Sequence, residues 1–400
     1  MIWLKISVPV LIMTILIARK IRLEVVLPLG ALALGLLFGL EFGDIFGTWF
    51  NSFINTRFRD LFVIILSVML LGELMEKGKF FNRMSALFLK IFKDNRFAAA
   101  ASAAFIGFLP MPGGSLISAP FVDKLLPDYS NQEKMAVNYW FRHIWEYFFP
   151  LYAGLAWIIT VFKASPLLIL LIMGPMTVVM AVWGLPMLLK RNKTDIPELA
   201  TPENPLKLLV ISWPIIMAVV LSIAFKVPLP LSVFVSLCAF IVKERTLVKH
   251  ILPFLMRKKT VYLIFLVSGM VFFDSITRNS GVANDLYSSM QGTNIEIFII
   301  AVPMICGLLT GITIGFVSIS FPILAPFLVV EGVPRMELIL LAYTAGFCGV
   351  MVSPMHLCLI ITTDHFKTVL GKVYPYIIKA TTGTIITGII YYTIVKTFLA

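Results

Sequence analysis

The chain has 400 residues, of which 59% are hydrophobic and only 14% charged, with a formal net charge of +12. Soluble domains carry roughly a quarter charged residues, so the composition excludes one and predicts an all-α polytopic membrane protein. The basic excess does not predict a nucleic-acid partner, because the lysines and arginines gather in loops on alternate sides of the apolar runs.

In chain order, ten full spans are predicted at about 2–18, 24–40, 60–75, 135–162, 166–189, 206–225, 229–242, 260–277, 337–363 and 373–397. Runs of this kind cross a hydrocarbon core of roughly 30 Å. The first lacks a basic n-region and a small-residue cleavage site, so it reads as a span and not as a cleaved signal. Segments 80–92 and 248–256 are amphipathic and basic, which suits either helices lying on the inner leaflet or ordinary connecting loops. Segment 190–205, rich in Pro, Lys, Asn and Glu, is the one long polar connection and reads as a cytoplasmic linker. With these spans, 23 basic residues fall on one side and eight on the other, while Arg142 and Lys379 lie within spans. The positive-inside rule makes the rich side cytoplasmic and puts both termini outside.

Two further apolar stretches are interrupted at their middles. Segment 97–125 is broken at Pro110-Met111-Pro112-Gly113-Gly114-Ser115, and segment 295–328 around Thr310-Gly311-Ile312-Thr313-Ile314-Gly315. Irregular backbone at membrane depth survives only where protein buries it or where it lines a wet cavity. Each stretch is therefore expected to be a re-entrant hairpin, its tip at half depth. Paired interrupted segments are a sequence pointer to a transporter's binding site; the alternative is a kink with small residues for packing.

The two halves also align. Gly113 and Ser118-Ala119-Pro120 fall on Gly315 and Ser320-Phe321-Pro322 at an offset of 202. Tyr139, Pro150 and Phe162-Lys163 fall on Tyr343, Pro354 and Phe366-Lys367 at an offset of 204. Each half holds five spans, an odd number, so residues 1–189 and 206–400 form two inverted repeats. Hairpin 97–125 then opens to the cytoplasm and hairpin 295–328 to the outside.

Polar residues within these segments are the candidate site. Ser115 is placed to cap the returning arm of the first hairpin behind Gly113 and Gly114, whose free amides suit an anion. Thr313 or Ser318 is placed likewise behind Gly311 and Gly315. Carbonyls ending each first arm are placed to hold sodium. In the fourth span Asn138, Arg142 and Glu146 share a helix face at i, i+4 and i+8. Arg142 is set either to close an ion pair with Glu146 or to clamp a carboxylate or phosphate, and His143 and Glu146 either to pass a proton or to lie at the cytoplasmic interface. In the ninth span Ser353-Pro354 is a helix-start signal inside an apolar run, with His356 just beyond as a proton carrier or a packing residue. Asp274 suits a bound cation or an outer-surface carboxylate. Four dispersed histidines and the cysteines Cys238, Cys306, Cys348 and Cys358 show no metal-ligand spacing, and no nucleotide-binding loop occurs.

On Pro112-Gly113-Gly114-Ser115, 311–320, Phe149-Pro150 and Ser353-Pro354 the chain resembles the ion transporter superfamily, which includes gluconate, dicarboxylate, citrate and arsenite permeases. Within it, the chain is most similar to the uncharacterised domain-of-unknown-function family 401. The resemblance implies a secondary transporter, with elevator motion of hairpins and broken spans, and a dimer, here expected to be a homodimer; without metal-ligand spacing or a nucleotide-binding loop an enzyme is not expected, and the expected location is the cell's inner membrane. The chain lacks the Ser-Asn-Thr triplets that dicarboxylate carriers present at both tips, which favours the gluconate-permease branch and proton coupling. The expected substrate is a small organic anion, a sugar acid or carboxylate, moved with protons or sodium and held near Pro112, Gly113, Gly114, Ser115, Ser118, Asn138, Arg142, Gly311, Thr313, Gly315, Ser318, Ser320, Ser353 and Pro354. His143, Glu146 and His356 are the expected proton carriers, and no resident cofactor is expected. The alternatives are a cation/proton antiporter working through Asp274 and Glu146, or a flippase for a lipid phosphate.

Overall fold

The computed structural model describes residues 2–92, 94–108, 114–189, 204, 206–290 and 294–399. Pro112 and Gly113 of the first tip, and the linker apart from Asn204, lie outside the described residues. The protein is all-α. Its one sheet among the described residues is a ladder of Val329–Val330 with Val333–Pro334. Glu331 and Gly332, both at positive φ, turn that ladder as a tight hairpin.

Among the described residues, four helical stretches are long and apolar enough to cross a membrane: Pro166–Leu189, Lys258–Asn279, Met336–His365 (interrupted at Ser353) and Leu370–Leu399. Six shorter apolar helices accompany them, including Leu4–Ala18, Leu23–Leu37 and the two arms Ile295–Thr310 and Thr313–Leu328. Outer faces stay apolar: Val178, Val182, Leu231, Phe234, Ile386 and Ile390 are exposed. Apolar exposure on this scale marks a surface that meets lipid or a partner.

The amphipathic segment 80–92 forms the helix Phe80–Ile91, whose Phe80 packs edge-on against Phe240. Segment 248–256 is a tighter turn, Arg245–His250, followed by the short helix Ile251–Leu255. Two short helices escape the sequence pattern: Phe42–Asn51 ahead of Thr56–Lys77, and Val282–Ser289 ahead of the second hairpin.

Asp274 is fully buried and is not an outer-surface carboxylate. It accepts from Arg57 Nη1 at 2.7 Å and from Arg278 Nε at 3.1 Å, so two guanidinium groups already counter its charge. The first contact ties Thr56–Lys77 to Lys258–Asn279. Removing one partner of a buried ion pair costs about 3–5 kcal/mol; Arg278 remains, so Arg57→Ala is expected to cost about 3 kcal/mol. Thermal unfolding of the solubilised protein measures it, and an unchanged midpoint would show the pair to be energetically idle.

The segments expected as the fourth and ninth spans are both broken. The helix Asn131–Arg142 opens on a capping box, in which the Ser130 hydroxyl and Glu133 carboxylate satisfy each other's end of the first turn. It stops at Arg142. A 3-10 turn, Ile144–Tyr147, follows, and the helix resumes only as Ala153–Val161. The residue before a proline is driven away from helical backbone, and Phe149 stands before Pro150. Likewise Met336–Val352 stops at Ser353, which is extended (φ −70°, ψ 125°) ahead of Pro354, and the chain resumes as Leu357–His365. The expected face shared by Asn138, Arg142 and Glu146 therefore holds only for the first two, because the helix has ended before Glu146.

The hairpins seat on these breaks. The first has arms Asn95–Gly107 and Ser115–Leu125; the second, Ile295–Thr310 and Thr313–Leu328. Each first arm lies against the leading half of the broken span in its own half of the chain, while each returning arm also meets the trailing half of the other one: Ser115–Leu125 touches Leu357–His365, and Thr313–Leu328 touches Ala153–Val161. Small residues permit the approach. A Cβ on Gly107 would fall 2.0 Å from the Arg142 carbonyl oxygen, and one on Gly307 would fall 2.0 Å from that of Gly346. Two tyrosines cross between halves in the same manner. Tyr139 donates to the Met351 carbonyl at 2.9 Å, and Tyr343 to the Glu146 carbonyl at 2.8 Å. Both broken spans end on a Phe-Lys pair whose lysine is left-handed, Lys163 at φ 56° and Lys367 at φ 48°.

Candidate functional site

Where the two breaks meet the second tip lies a cavity of about 340 Å³. Arg142, His143, Glu146 and Tyr152 from the first break line it, with Thr313 from the tip and His356 and Cys358 from the second break. Arg22, Glu24, Lys259 and Tyr262 also line it. Arg22 lies 3.6 Å over the Tyr262 ring and pairs with Glu24, while Arg257, one turn before Tyr262, is held by both oxygens of Glu73 at 2.9 Å.

Of the cations lining this cavity, Arg142 is the buried one. It sits on the last turn of its helix, where a positive charge suits the helix dipole. Nη1 lies 3.5 Å from His143 Nε2 and 3.6 Å from Cys358 Sγ. A Cβ on Gly114 would fall 2.4 Å from Nη2, so the first tip rests directly on the guanidinium. Gly114 itself is right-handed (φ −57°); close approach, not left-handed backbone, is what this position requires. Gly311 is the left-handed one (φ 65°), and a Cβ there would fall 2.7 Å from His356 N. The second tip thus sits on the second break, where Ser353 Oγ also donates to the Leu308 carbonyl at 2.5 Å.

Hydrogen bonding fixes the histidine tautomers. His143 Nδ1 lies 2.6 Å from the Tyr139 carbonyl, so this nitrogen donates and Nε2 keeps its lone pair. His356 Nδ1 lies 3.2 Å from the Val350 carbonyl and 3.0 Å from Tyr139 Oη. The tyrosine proton is already directed to Met351, so His356 Nδ1 donates as well and its Nε2 is bare. Glu146 Oε1 stands 3.8 Å from His143 Nε2, and Thr313 lines the cavity beside it. The arrangement can hold an anion on a buried guanidinium and carry a proton between a carboxylate and an imidazole.

Of the residues singled out from sequence, Arg142, His143, Glu146, Thr313 and His356 meet at the cavity. Asn138 and Ser115 stand one layer behind, with Asn138 Nδ2 donating to the Ser115 carbonyl at 3.1 Å. Ser115 does not cap the returning arm: Gly114 is the cap residue and has no side-chain bond, while the buried Ser115 hydroxyl makes no hydrogen bond of ordinary length and faces the Cys358 thiol. Neither Thr313 nor Ser318 caps the second arm, which begins after Ile312. Ser118, Ser318 and Ser320 turn their hydroxyls back onto their own helices. Gly315 packs against Thr310, and Pro354 lines a separate pocket with Thr310 and Lys20. At the end of the first arm the Gly107 carbonyl is taken by Tyr152 Oη. Cys358, Tyr139 and Tyr152 were not legible as site residues. Only the spacing of Cys358 two residues past His356 could have drawn attention to it.

Over residues 4–395 the chain matches the profile of a family described as Protein of unknown function (DUF401). No curated protein matches it.

Proposed function

The chain belongs to this DUF401 family, and we propose that the protein is a secondary active transporter of a small organic anion, such as a sugar acid or another carboxylate, coupled to protons. One observation carries the proposal. A buried arginine, a carboxylate and two histidines share a cavity at the meeting point of two helix breaks and a hairpin tip. Charged groups at such a place are costly unless they serve a path, and broken helices at half depth are where transporters bind cargo. About 340 Å³ accommodates a small carboxylate.

In this reading the ion transporter superfamily plan applies, with ten spans, two re-entrant hairpins and inverted repeats at 1–189 and 206–400. The matched contacts at Gly107 and Gly307, the crossed tyrosines and the paired Phe-Lys ends support the repeat. Arg22 and Lys259 stand at the cavity on the basic, cytoplasmic side, so the cavity opens inward. The protein works as a homodimer in the inner membrane, with both termini outside. Arg142 holds the anion, and Glu146 with His143 carries the proton.

A thermal-shift screen of the purified protein against organic acids identifies the cargo, because a ligand of the folded state raises its stability. In proteoliposomes, uptake of that acid is expected to follow an imposed pH gradient. Glu146→Gln is expected to retain acid binding and to lose the response to the gradient. Failure of every acid to stabilise the protein, or gradient-driven uptake unchanged by Glu146→Gln, would remove the respective assignment.

A further inference from the structure

The cavity holds a second chemistry, which adds Cys358 and shares His143 with the proposed proton path, so the metal-free protein is the one in which that imidazole takes a proton. His143, His356 and Cys358 are far apart in sequence, yet one ligand atom from each lies within 4.8 Å of the others, and all three side chains are buried. We infer that these three residues form a binding site for a thiophilic divalent metal of the zinc type, with His143 Nε2, His356 Nε2 and Cys358 Sγ as ligands.

Three features of the geometry argue for it. Each imidazole has its Nδ1–H directed at a backbone carbonyl, that of Tyr139 for His143 and that of Val350 for His356. Metal-bound histidines are oriented in this way, with the far nitrogen donating and the near one left as a lone pair. Next, the donor set is two imidazoles and a thiolate, which suits zinc and its neighbours and not magnesium or calcium. Finally, Glu146 Oε1 stands 3.8 Å from His143 Nε2, within reach of a fourth position that otherwise faces the cavity. Bond lengths near 2.0–2.3 Å place tetrahedral ligands about 3.5 Å apart, so the cluster tightens by roughly 1 Å on binding, within reach of side-chain rotation. Binding releases the thiol proton to solvent as the sulfur–metal bond forms.

Arg142 sets the character of the ion held. Its Nη1 lies 3.6 Å from the same sulfur, so a dication beside one thiolate, one carboxylate and one guanidinium leaves a net positive charge. An ion that brings an anionic ligand of its own into the cavity balances this. His143 and His356 come from opposite halves of the chain, so a bound metal also clamps the two breaks together.

The test uses the full-length, tag-free protein in detergent, stripped with a chelator and titrated with Zn²⁺ and, in parallel, with Co²⁺. No organic acid is added, so the outcome is independent of the transport assignment. One equivalent of Zn²⁺ per chain is expected, with affinity falling at least a hundredfold in Cys358→Ser and in His356→Gln. Cys306→Ser, a buried cysteine outside the cluster, is expected to bind as the parent does. The Co²⁺ form of the parent protein is expected to show a thiolate-to-metal charge-transfer band, a readout that needs no variant to fold. Absence of a stoichiometric site, a Co²⁺ spectrum without sulfur character, or full affinity in a folded Cys358→Ser would overturn the inference.

Discussion

Replacing Arg142 with alanine is expected to abolish acid uptake while the protein still folds and inserts. The guanidinium is the buried cation at the cavity, and an anion held there forms charge-assisted hydrogen bonds shielded from water. Truncating one member of such a buried pair costs 2–5 kcal/mol, so a loss of about 3 kcal/mol corresponds to roughly a hundredfold weaker binding. Arg142→Lys keeps the charge but loses the two-pronged donor geometry, and is expected to recover only part of the affinity. Gly114→Ala makes a sharper companion. Its new methyl group would meet Nη2, the mobile end of a long side chain, at 2.4 Å. The backbone need not move, so folding is spared while the guanidinium is pushed off its place. Binding measured by thermal shift, together with uptake into proteoliposomes, separates these variants. Unimpaired uptake by Arg142→Ala would end the assignment of this residue as the anion's partner.

The second large effect is expected in stability. Gly107→Val and Gly307→Val should each destabilise the protein by about 3 kcal/mol or more, at the top of the range for overpacked cores. In both cases the new Cβ would lie 2.0 Å from a carbonyl oxygen, of Arg142 or of Gly346, and main chain cannot rotate aside as a side chain can. To fit, the hairpin arm must lift from the broken helix it rests on, which also strains the Tyr152 bond to the Gly107 carbonyl and the Ser353 bond to the Leu308 carbonyl. Gly43→Val, where a Cβ meets nothing within 4 Å, is the control. Thermal unfolding that ranks both variants with the control would show that the close contacts carry no weight.

Much of this architecture was legible because membrane chemistry is restrictive. Prolines and glycines inside apolar runs have few physical explanations, and Pro354 marked the break beyond Val352. What stayed hidden had weak or misleading local signals. Phe42–Asn51 is ten residues long, too short for a span and too apolar to stand out from one. The shared face of Asn138, Arg142 and Glu146 assumed an unbroken helix, although Pro150 already argued against one. Serines at the tips looked like ligands, but Ser118, Ser318 and Ser320 bond their own helices, the default for a hydroxyl in an apolar helix. Cys358 showed no metal-ligand spacing, since neither its partner His143 nor the convergence of the breaks is written in its neighbourhood.

The crossed tyrosine bonds carry a mechanical consequence. Each break is anchored by a phenol rooted in the opposite half, so neither can shift alone without stretching a bond that the other half supplies. If the halves exchange conformations in the proposed transport cycle, Tyr139 and Tyr343 exchange environments, and the tally of anchoring bonds is the same at either extreme of the stroke. Two extremes with equal tallies are close in energy, and a carrier poised in that way is turned by a modest gradient in either direction.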